Sequence, residues 1–392
     1  MGASLPYFQL LNMNPTKTAF GTWSGGKFMN FGEPLDDQRF LGAIHLAYDQ
    51  GIRTFMTADV YGAGASDEML GRALKAFPRE SYCLVGAIGH DFVNGKREGS
   101  KGYPRFTDPA LRSTEAYAGY MKAATEASLK RCGVSEFDLL LLHNPDSIGY
   151  TSEAVWKGMD SVKQAGLTRL SGIAPGPANG FTLDLLQCFE KFHEQIDWAM
   201  IILNPLENWP GGLVLPAAEK YGIDVMTRVV DYGGLFHDDV LPGHAFRKED
   251  HRVFRPAGWI ESGRQKIEAM RPLAEKHGLT MLQFACVWNL SQPAVKSVIP
   301  TLIQESGENT KSIEDKILEL ARVPEIRLSS QEIEQTALIG DNKGCMNLKG
   351  GNPGYQGAVV ADQWPINTDL EKTAAQWGIN PVADLGYSHQ GR

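Results

Sequence analysis

Short runs of apolar and β-branched residues alternate along the chain with longer stretches whose apolar positions recur every three to four residues. The short runs have the length of buried strands, and the longer ones carry the repeat of helices that cover one face. Read this way, strands fall at 19–22, 53–58, 83–88, 138–142, 170–174, 199–203, 224–230 and 297–299. Helices fall at 37–50, 66–76, 113–132, 152–166, 182–193, 213–221, 264–277, 280–290 and 331–338. Asp36, Ser113, Ser152, Thr182, Thr280 and Ser330 are placed to cap them. Strands joined by crossover helices form a parallel sheet, and eight of them form a (β/α)8 TIM barrel, an α/β fold. The barrel is expected over 1–340, with 341–392 as a C-terminal extension packed on it or used in an oligomer contact.

The stretch 51–74, GIRTFMTADVYGAGASDEMLGRAL, organises the rest. It reads as a strand, a loop punctuated by Gly62 and Gly64, and a helix capped by Ser66 with Asp67 and Glu68 in its first turn. Tyr61 hangs at the carboxyl end of the strand, where ligands bind in parallel α/β folds. Residues 90–112 and 231–263 are longer than a minimal barrel needs. Long loops at the carboxyl face commonly build the site.

Composition narrows the partners. The 392 residues are 43% hydrophobic, ample for a packed barrel, and the net charge of −8 is spread without a lysine or arginine cluster. That balance argues against nucleic acid and against an anionic membrane surface, and leaves a small molecule as the partner. A homo-oligomer stays open. No apolar stretch reaches spanning length, and the N-terminus lacks the layout of a signal peptide. The five cysteines are scattered with no paired spacing, as expected of reduced thiols in a cytoplasmic protein.

The same 51–74 stretch closely resembles the signature of the aldo/keto reductases, F-D-T-A-x-x-Y-G followed by x-G-x-S-E-x-x-L-G-x-A-L. SYCLVGAIG (81–89) resembles that family's third strand, DLLLLHNPD (138–146) its fourth, FGT (20–22) its first and SVIP (297–300) its eighth. The resemblance covers roughly 16–340 and implies a TIM barrel of aldo/keto-reductase type. It assigns Tyr61 as the proton-donating tyrosine and His143 as the histidine that orients a carbonyl. Where the family has its catalytic aspartate and lysine, this chain has Met56 and Ala87, a degenerate tetrad. Ala174 and Pro175 stand where a serine and asparagine usually hold the nicotinamide amide, and Met200 stands where a glutamine does. Arg228 remains in position to lie beside a planar ring. Residues 301–306, TLIQES, lack the glycine and basic residues that grip a 2′-phosphate. The resemblance therefore implies no NADP(H), or NADP(H) held weakly.

What stays polar at the carboxyl ends is Tyr61, His90, Asp91, His143, Asn144, Asp146, Asn204, Glu207, Arg228 and Asp231. Tyr61 and His143 are the candidate catalytic pair. Trp23, His90, Asp91, Asn204, Arg228 and Asp231 are the candidate substrate contacts, although His90 and Asp91 also suit a solvated loop and Arg228 an ion pair with Asp231. Without a cationic neighbour Tyr61 is expected to titrate near 10, and His143 near 6.5. The reading that follows is redox-neutral proton transfer, as in a lyase, isomerase or epimerase, on a keto-sugar or hydroxy-ketone. The alternatives are an NAD(P)H-dependent oxidoreductase with an unusual site and a non-catalytic binding protein. His237, His244 and His251 recur every seven residues beside Asp238, Asp239 and Asp250, which raises a divalent metal; loop histidines are more often solvated. The glycines of YGAGAS match no phosphate-loop motif. Trp23, Trp209 and Trp259 form either an aromatic wall or core packing.

Overall fold

The computed structural model describes residues 14–97, 102–176, 181–255, 257–307, 310–343 and 366–387. Eight parallel strands pair in chain order. They are β1 Ala19–Gly21, β2 Thr54–Met56, β3 Cys83–Ile88, β4 Phe137–His143, β5 Thr168–Ala174, β6 Trp198–Ile202, β7 Asp224–Arg228 and β8 Val295–Ile299. Thr18 bridges in parallel to Val298, so β8 returns to β1 and the sheet closes as a barrel. The strands read as continuous apolar runs because both faces are covered. On β4, Leu139 and Leu141 join the barrel interior, whereas Leu140 and Leu142 pack toward the helices. Met56, Val85, Ala87, Met200, Met226 and Ile299 fill the same interior.

The outer layer begins with α1 Asp37–Asp49, α2 Ala65–Leu74, α3 Tyr117–Cys132, α4 Ser147–Thr151, α5 Glu153–Gln164 and α6 Thr182–Phe192. It continues with α7 Leu215–Tyr221, α8 Trp259–Lys276, α9 Met281–Leu290, α10 Ile313–Ala321 and α11 Ser330–Ile339. Asp36 caps α1, and Thr280 forms a capping box with Gln283 at α9, as the sequence predicts. At α11 the cap is Ser329, one residue before the expected Ser330, in a box with Glu332. Strand β7 stops at Arg228, short of the predicted 230, because Val229 turns to φ 58°. Helix α10 is absent from the predicted set. Lys316 interrupts its apolar stripe, yet the fold buries Lys316 against Asp239 (2.6 Å) and the Ile303 carbonyl.

Beyond α11 the described chain resumes with α12 Thr368–Gln376 and α13 Pro381–Leu385. Glu190 of α6 accepts from Thr373 Oγ1 (3.1 Å) and Trp377 Nε1 (2.8 Å). Trp209, on the loop after β6, donates through Nε1 to the Asp384 carbonyl (2.6 Å) and exchanges two hydrogen bonds with Asn342. The glycine-rich run after residue 343 and the N-terminal thirteen residues lie outside the described residues.

Candidate active site at the barrel mouth

The ladder of β2 runs past Met56, with Thr57 N–H bonded to the Val85 carbonyl (2.9 Å) and Asp59 N–H to that of Ala87 (3.1 Å). Tyr61 then opens a tight turn in which Gly62 and Gly64 adopt φ 59° and 98°, the region that favours glycine. Ser66 does not cap α2, whose N-cap is Gly64. Its hydroxyl is spent inward, within 2.6 Å of Thr22 Oγ1 and 2.8 Å of Thr57 Oγ1. Asp67 extends the chain by accepting from Thr57 (2.8 Å), Ser128 (2.8 Å) and Arg131 (3.0 Å). This buried polar network ties the turn to β1 and α3, and so fixes Tyr61.

The Tyr61 ring meets Trp23 edge-on at 6.4 Å and His143 edge-on at 5.8 Å. Trp23 reaches it because Gly21 has no side chain: a Cβ there would come within 2.5 Å of the indole. His143, at the end of β4, is buried, and its Nδ1 has no hydrogen-bond partner among the described residues. Arg228, at the end of β7, gives Nη2 to the carbonyls of Pro175 (3.0 Å) and Gly176 (2.9 Å) and leaves Nε buried without a hydrogen-bond partner among the described residues. Beneath these groups Met56, Ala87, Ala174 and Met200 line the interior, each at most 2% exposed. The floor carries no charge.

Burial raises the Tyr61 pKa above its ordinary value, and Arg228 partly offsets the rise. His143 is corrected from the expectation of about 6.5. Burial, then the neighbouring His90, Arg228 and Arg105, hold it well below that range. Both groups are therefore uncharged at neutral pH, with Arg228 as the nearby cation.

His90 stacks edge-on against His143 at 5.2 Å. Its Nδ1 lies 3.2 Å from the Tyr103 carbonyl and 2.9 Å from Arg105 Nη1, and its Nε2 lies 3.2 Å from Asn144 Nδ2. Burial and Arg105 push its pKa down to about 3, so it backs His143 as a neutral ring. Arg105 Nε also donates to the Asn144 carbonyl, which locks the loop after β3 to the end of β4.

Other candidates are committed elsewhere. Asp91 pairs with Arg112 and caps the turn at Val93 and Asn94. Asn204 donates to Glu207 (2.9 Å) and the Val229 carbonyl (2.9 Å), and Asp146 caps α4. Asp231 accepts from Gly234 N–H (2.9 Å) and Thr301 N–H (2.7 Å) and does not pair with Arg228. The three evenly spaced histidines do not come together: His237 bonds the Thr301 carbonyl (2.9 Å), His244 meets Glu305 (3.3 Å) and His251 packs on Phe31. Among the described residues no three histidine, cysteine, aspartate or glutamate side chains converge to hold an ion. Nor do the tryptophans form a wall, since Trp209 anchors the tail and Trp259 packs on Tyr232 and Phe246.

Two residues were not singled out by sequence. Arg105 sits in a glycine- and proline-rich loop whose pairing with Asn144 is visible only in space. Asp59 lies two residues before Tyr61, buried, with no hydrogen-bond partner for Oδ1 among the described residues. Burial, then Asp67, raises its pKa well above the ordinary range. Its place between Met56 and Tyr61 was the available signal.

A sequence profile of the aldo/keto reductase family matches residues 17–337. A probable voltage-gated potassium channel β subunit from Arabidopsis thaliana is 25% identical over 320 residues, covering 78% of this chain and 91% of that protein. A glycerol dehydrogenase from Gluconobacter oxydans superposes with a TM-score of 0.64 at 25% identity, over 82% of this chain and 90% of its own. An aldo/keto reductase from Klebsiella pneumoniae, solved with NADP and acetate, superposes with a TM-score of 0.55 at 18% identity, over 87% of this chain and 93% of its own. Among the described residues no helix is long and apolar enough to cross a membrane.

Proposed function

The chain belongs to the aldo/keto reductase family, and from that premise we propose that the Tyr61 site interconverts a small carbonyl compound and its alcohol, with NADP(H) as a weakly held hydride carrier. The observation that carries this reading is the meeting of Tyr61, His143 and Arg228 over an apolar floor. Reduction places negative charge on the carbonyl oxygen, and what it requires is proton donors and positive charge aimed there. A protonated tyrosine, a neutral imidazole and a guanidinium meet that requirement. Abstraction of a proton beside a carbonyl requires a base instead, and a histidine held well below its ordinary pKa is a poor one. This ranks the oxidoreductase reading above the lyase or isomerase reading.

Met56, Ala87, Ala174 and Met200 with the Trp23 ring fit the flat face of a nicotinamide by apolar contact. They offer its carboxamide no side-chain donor, and the Pro175 and Gly176 carbonyls are already occupied by Arg228. After β8, Thr301 N–H is spent on Asp231, Leu302 N–H on Ser24, and the Glu305 carboxylate on Arg252. Weak holding follows from those commitments. The carrier, when bound, supplies or accepts the hydride. The chain's part is to give the oxygen its proton from Tyr61, to orient it through His143, and to stabilise its charge with Arg228.

The glycerol dehydrogenase relative supports a polyol or hydroxy-ketone substrate, and the NADP complex supports the carrier. The apolar pair Met56 and Ala87 favours the redox-neutral reading as second choice, because it leaves Tyr61 no ion pair beneath it. The test is NADPH oxidation in the presence of dihydroxyacetone, wild type against Tyr61→Phe. We expect turnover, and a loss of at least about a hundredfold in kcat for the variant. Carrier-free deuterium exchange into the substrate, with no NADPH oxidation, would put the redox-neutral reading in its place.

A further inference from the structure

A guanidinium withdrawn from water needs a counter-charge or a ring face to rest on. The buried and half-buried arginines of this chain obey that rule in one of two ways. Some meet carboxylates, as Arg252 does at Asp250 and Glu305, Arg112 at Asp91 and Arg131 at Asp67. Others lie over aromatic rings, as Arg53 does at Tyr48 and Arg255 at Tyr232 and Trp259. Among the described residues Arg105 and Arg228 alone have neither, and both stand at the ends of the barrel strands around His143. Carbonyl reduction accounts for one of them, since Arg228 faces the oxygen that gains charge. The other is left over.

Arg105 is nonetheless held rigidly. Its Nε donates to the carbonyl of Asn144, one residue past the end of β4. Its Nη1 donates to the Tyr103 carbonyl (3.0 Å) and lies 2.9 Å from His90 Nδ1. Every one of these partners is neutral: two are carbonyls, and His90 is a ring whose pKa is pushed down to about 3. Nη2 has no hydrogen-bond partner among the described residues. Asp146 acts on Arg105 from beyond ion-pair distance, and its own oxygens are taken by Thr107 Oγ1 (2.6 Å) and Gly149 N–H (2.8 Å). The guanidinium therefore sits one imidazole away from His143, fixed in direction, with its charge unmatched. That is the condition in which a planar carboxylate is gripped by a guanidinium fork.

We propose that Arg105 selects substrates that carry a carboxylate, a keto-sugar acid in preference to a neutral keto-sugar, with the acid group on its free edge and the carbonyl between Tyr61 and His143. This rests on the carbonyl-reducing reading of the Tyr61 site and adds the substrate class to it. The His90 ring stands between Arg105 and His143, so the two ends of the substrate lie several bonds apart, as in a sugar acid and not in a 2-oxo acid. The acid group is unchanged by the reaction: the carbonyl carbon accepts the hydride and its oxygen the Tyr61 proton. Arg105 is thus a specificity-determining residue whose loss is felt in KM.

The test compares 5-keto-D-gluconate with L-sorbose, which differ by a carboxylate against a hydroxymethyl group at the end remote from the ketone. NADPH oxidation by the full-length protein should favour the acid at least about tenfold in kcat/KM. Arg105→Met should erase that preference by raising KM for the acid while leaving sorbose within about twofold, and Arg105→Lys should keep part of it. Damage to the loop would lower both substrates together, so the ratio reads the carboxylate contact alone. Calorimetry without a carrier adds a second readout: D-gluconate should bind and D-glucitol should not, and Arg105→Met should weaken gluconate at least about tenfold. Equal kcat/KM for acid and sorbose, or a preference that Arg105→Met leaves intact, overturns the proposal and leaves carbonyl reduction standing. No NADPH oxidation with either substrate, but gluconate bound through Arg105, supports the carboxylate site and removes the hydride reading. Neither oxidation nor gluconate binding overturns both.

Discussion

Tyr61 feels two opposed influences, burial raising its pKa and Arg228 lowering it. The proton-donating form is therefore lost only above the ordinary tyrosine value of about 10, and His143 gains charge only below the ordinary value of about 6.5. Carbonyl reduction should be level in pH between those two figures, which kcat measured across that range will test. Replacing Arg228 by Met removes the cation and should lower kcat by about ten- to a hundredfold. A kcat unchanged in that variant would remove Arg228 from the chemistry. Asp59 gives a separate signature. Its folded pKa lies well above the unfolded value of about 3.9, so folding takes up a proton there. The associated stability is complete below that unfolded value and is lost as pH rises toward the folded one. Asp59→Asn abolishes this slope, so between about pH 4 and 7 the variant should gain stability relative to wild type, measurable by denaturant unfolding at several pH values.

At the scale of elements, the ends of β7 and β8 are stitched together by side chains that would otherwise serve a ligand. Asp231 after β7 binds Thr301 after β8, His237 binds the Thr301 carbonyl, and Arg252 from the long loop grips Glu305. Burial opposes the Glu305 charge, but His244 and Arg252 prevail and hold its pKa down to about 2. A depressed carboxylate contributes stability that is present above its unfolded value of about 4.3 and is lost as pH falls through about 2. Glu305→Gln should cost up to about 3–5 kcal/mol near neutrality, nearer the lower figure because Asp250 still neutralises Arg252. It should also remove the acid-sensitive part of the stability profile. A melting temperature equal to wild type would show the network to be dispensable. These ties also explain what was legible. The helical periods around 264–277 and 280–290 stood out, whereas α10 did not, since only the fold reveals a partner for Lys316.

At the scale of the whole molecule, α12 and α13 clasp the outside of the barrel through Glu190 and hold the loop after β6 through Trp209 and Asp384. Deleting residues 366–392 removes Leu370, Ala374 and Leu385, all buried in the full chain, takes Thr373 and Trp377 off Glu190, and leaves Trp209 without its bond from Nε1 to the Asp384 carbonyl. The melting temperature should fall by several degrees, and limited proteolysis should reach the 203–214 loop sooner. Unchanged proteolysis would show that the tail does not steady that loop.

The eight strands, their order and the position of Tyr61 and His143 at strand ends were legible in the chain itself. Apolar runs buried on both faces and helical repeats between them are local patterns, and the spacing around YGAGAS is local too. What each polar residue is for was decided only by the tertiary structure. Ser66 has the composition of a cap but reaches Thr22, 44 positions away, and Asp91 has the look of a site residue but meets Arg112. Three evenly spaced histidines find three separate partners. His143 reads as a neutral-pH titrating group until burial, and then His90, Arg228 and Arg105 from three other parts of the chain, keep its proton off. Hydrogen-bond partners and desolvation are set by neighbours distant in sequence, and a linear pattern of residue types carries neither.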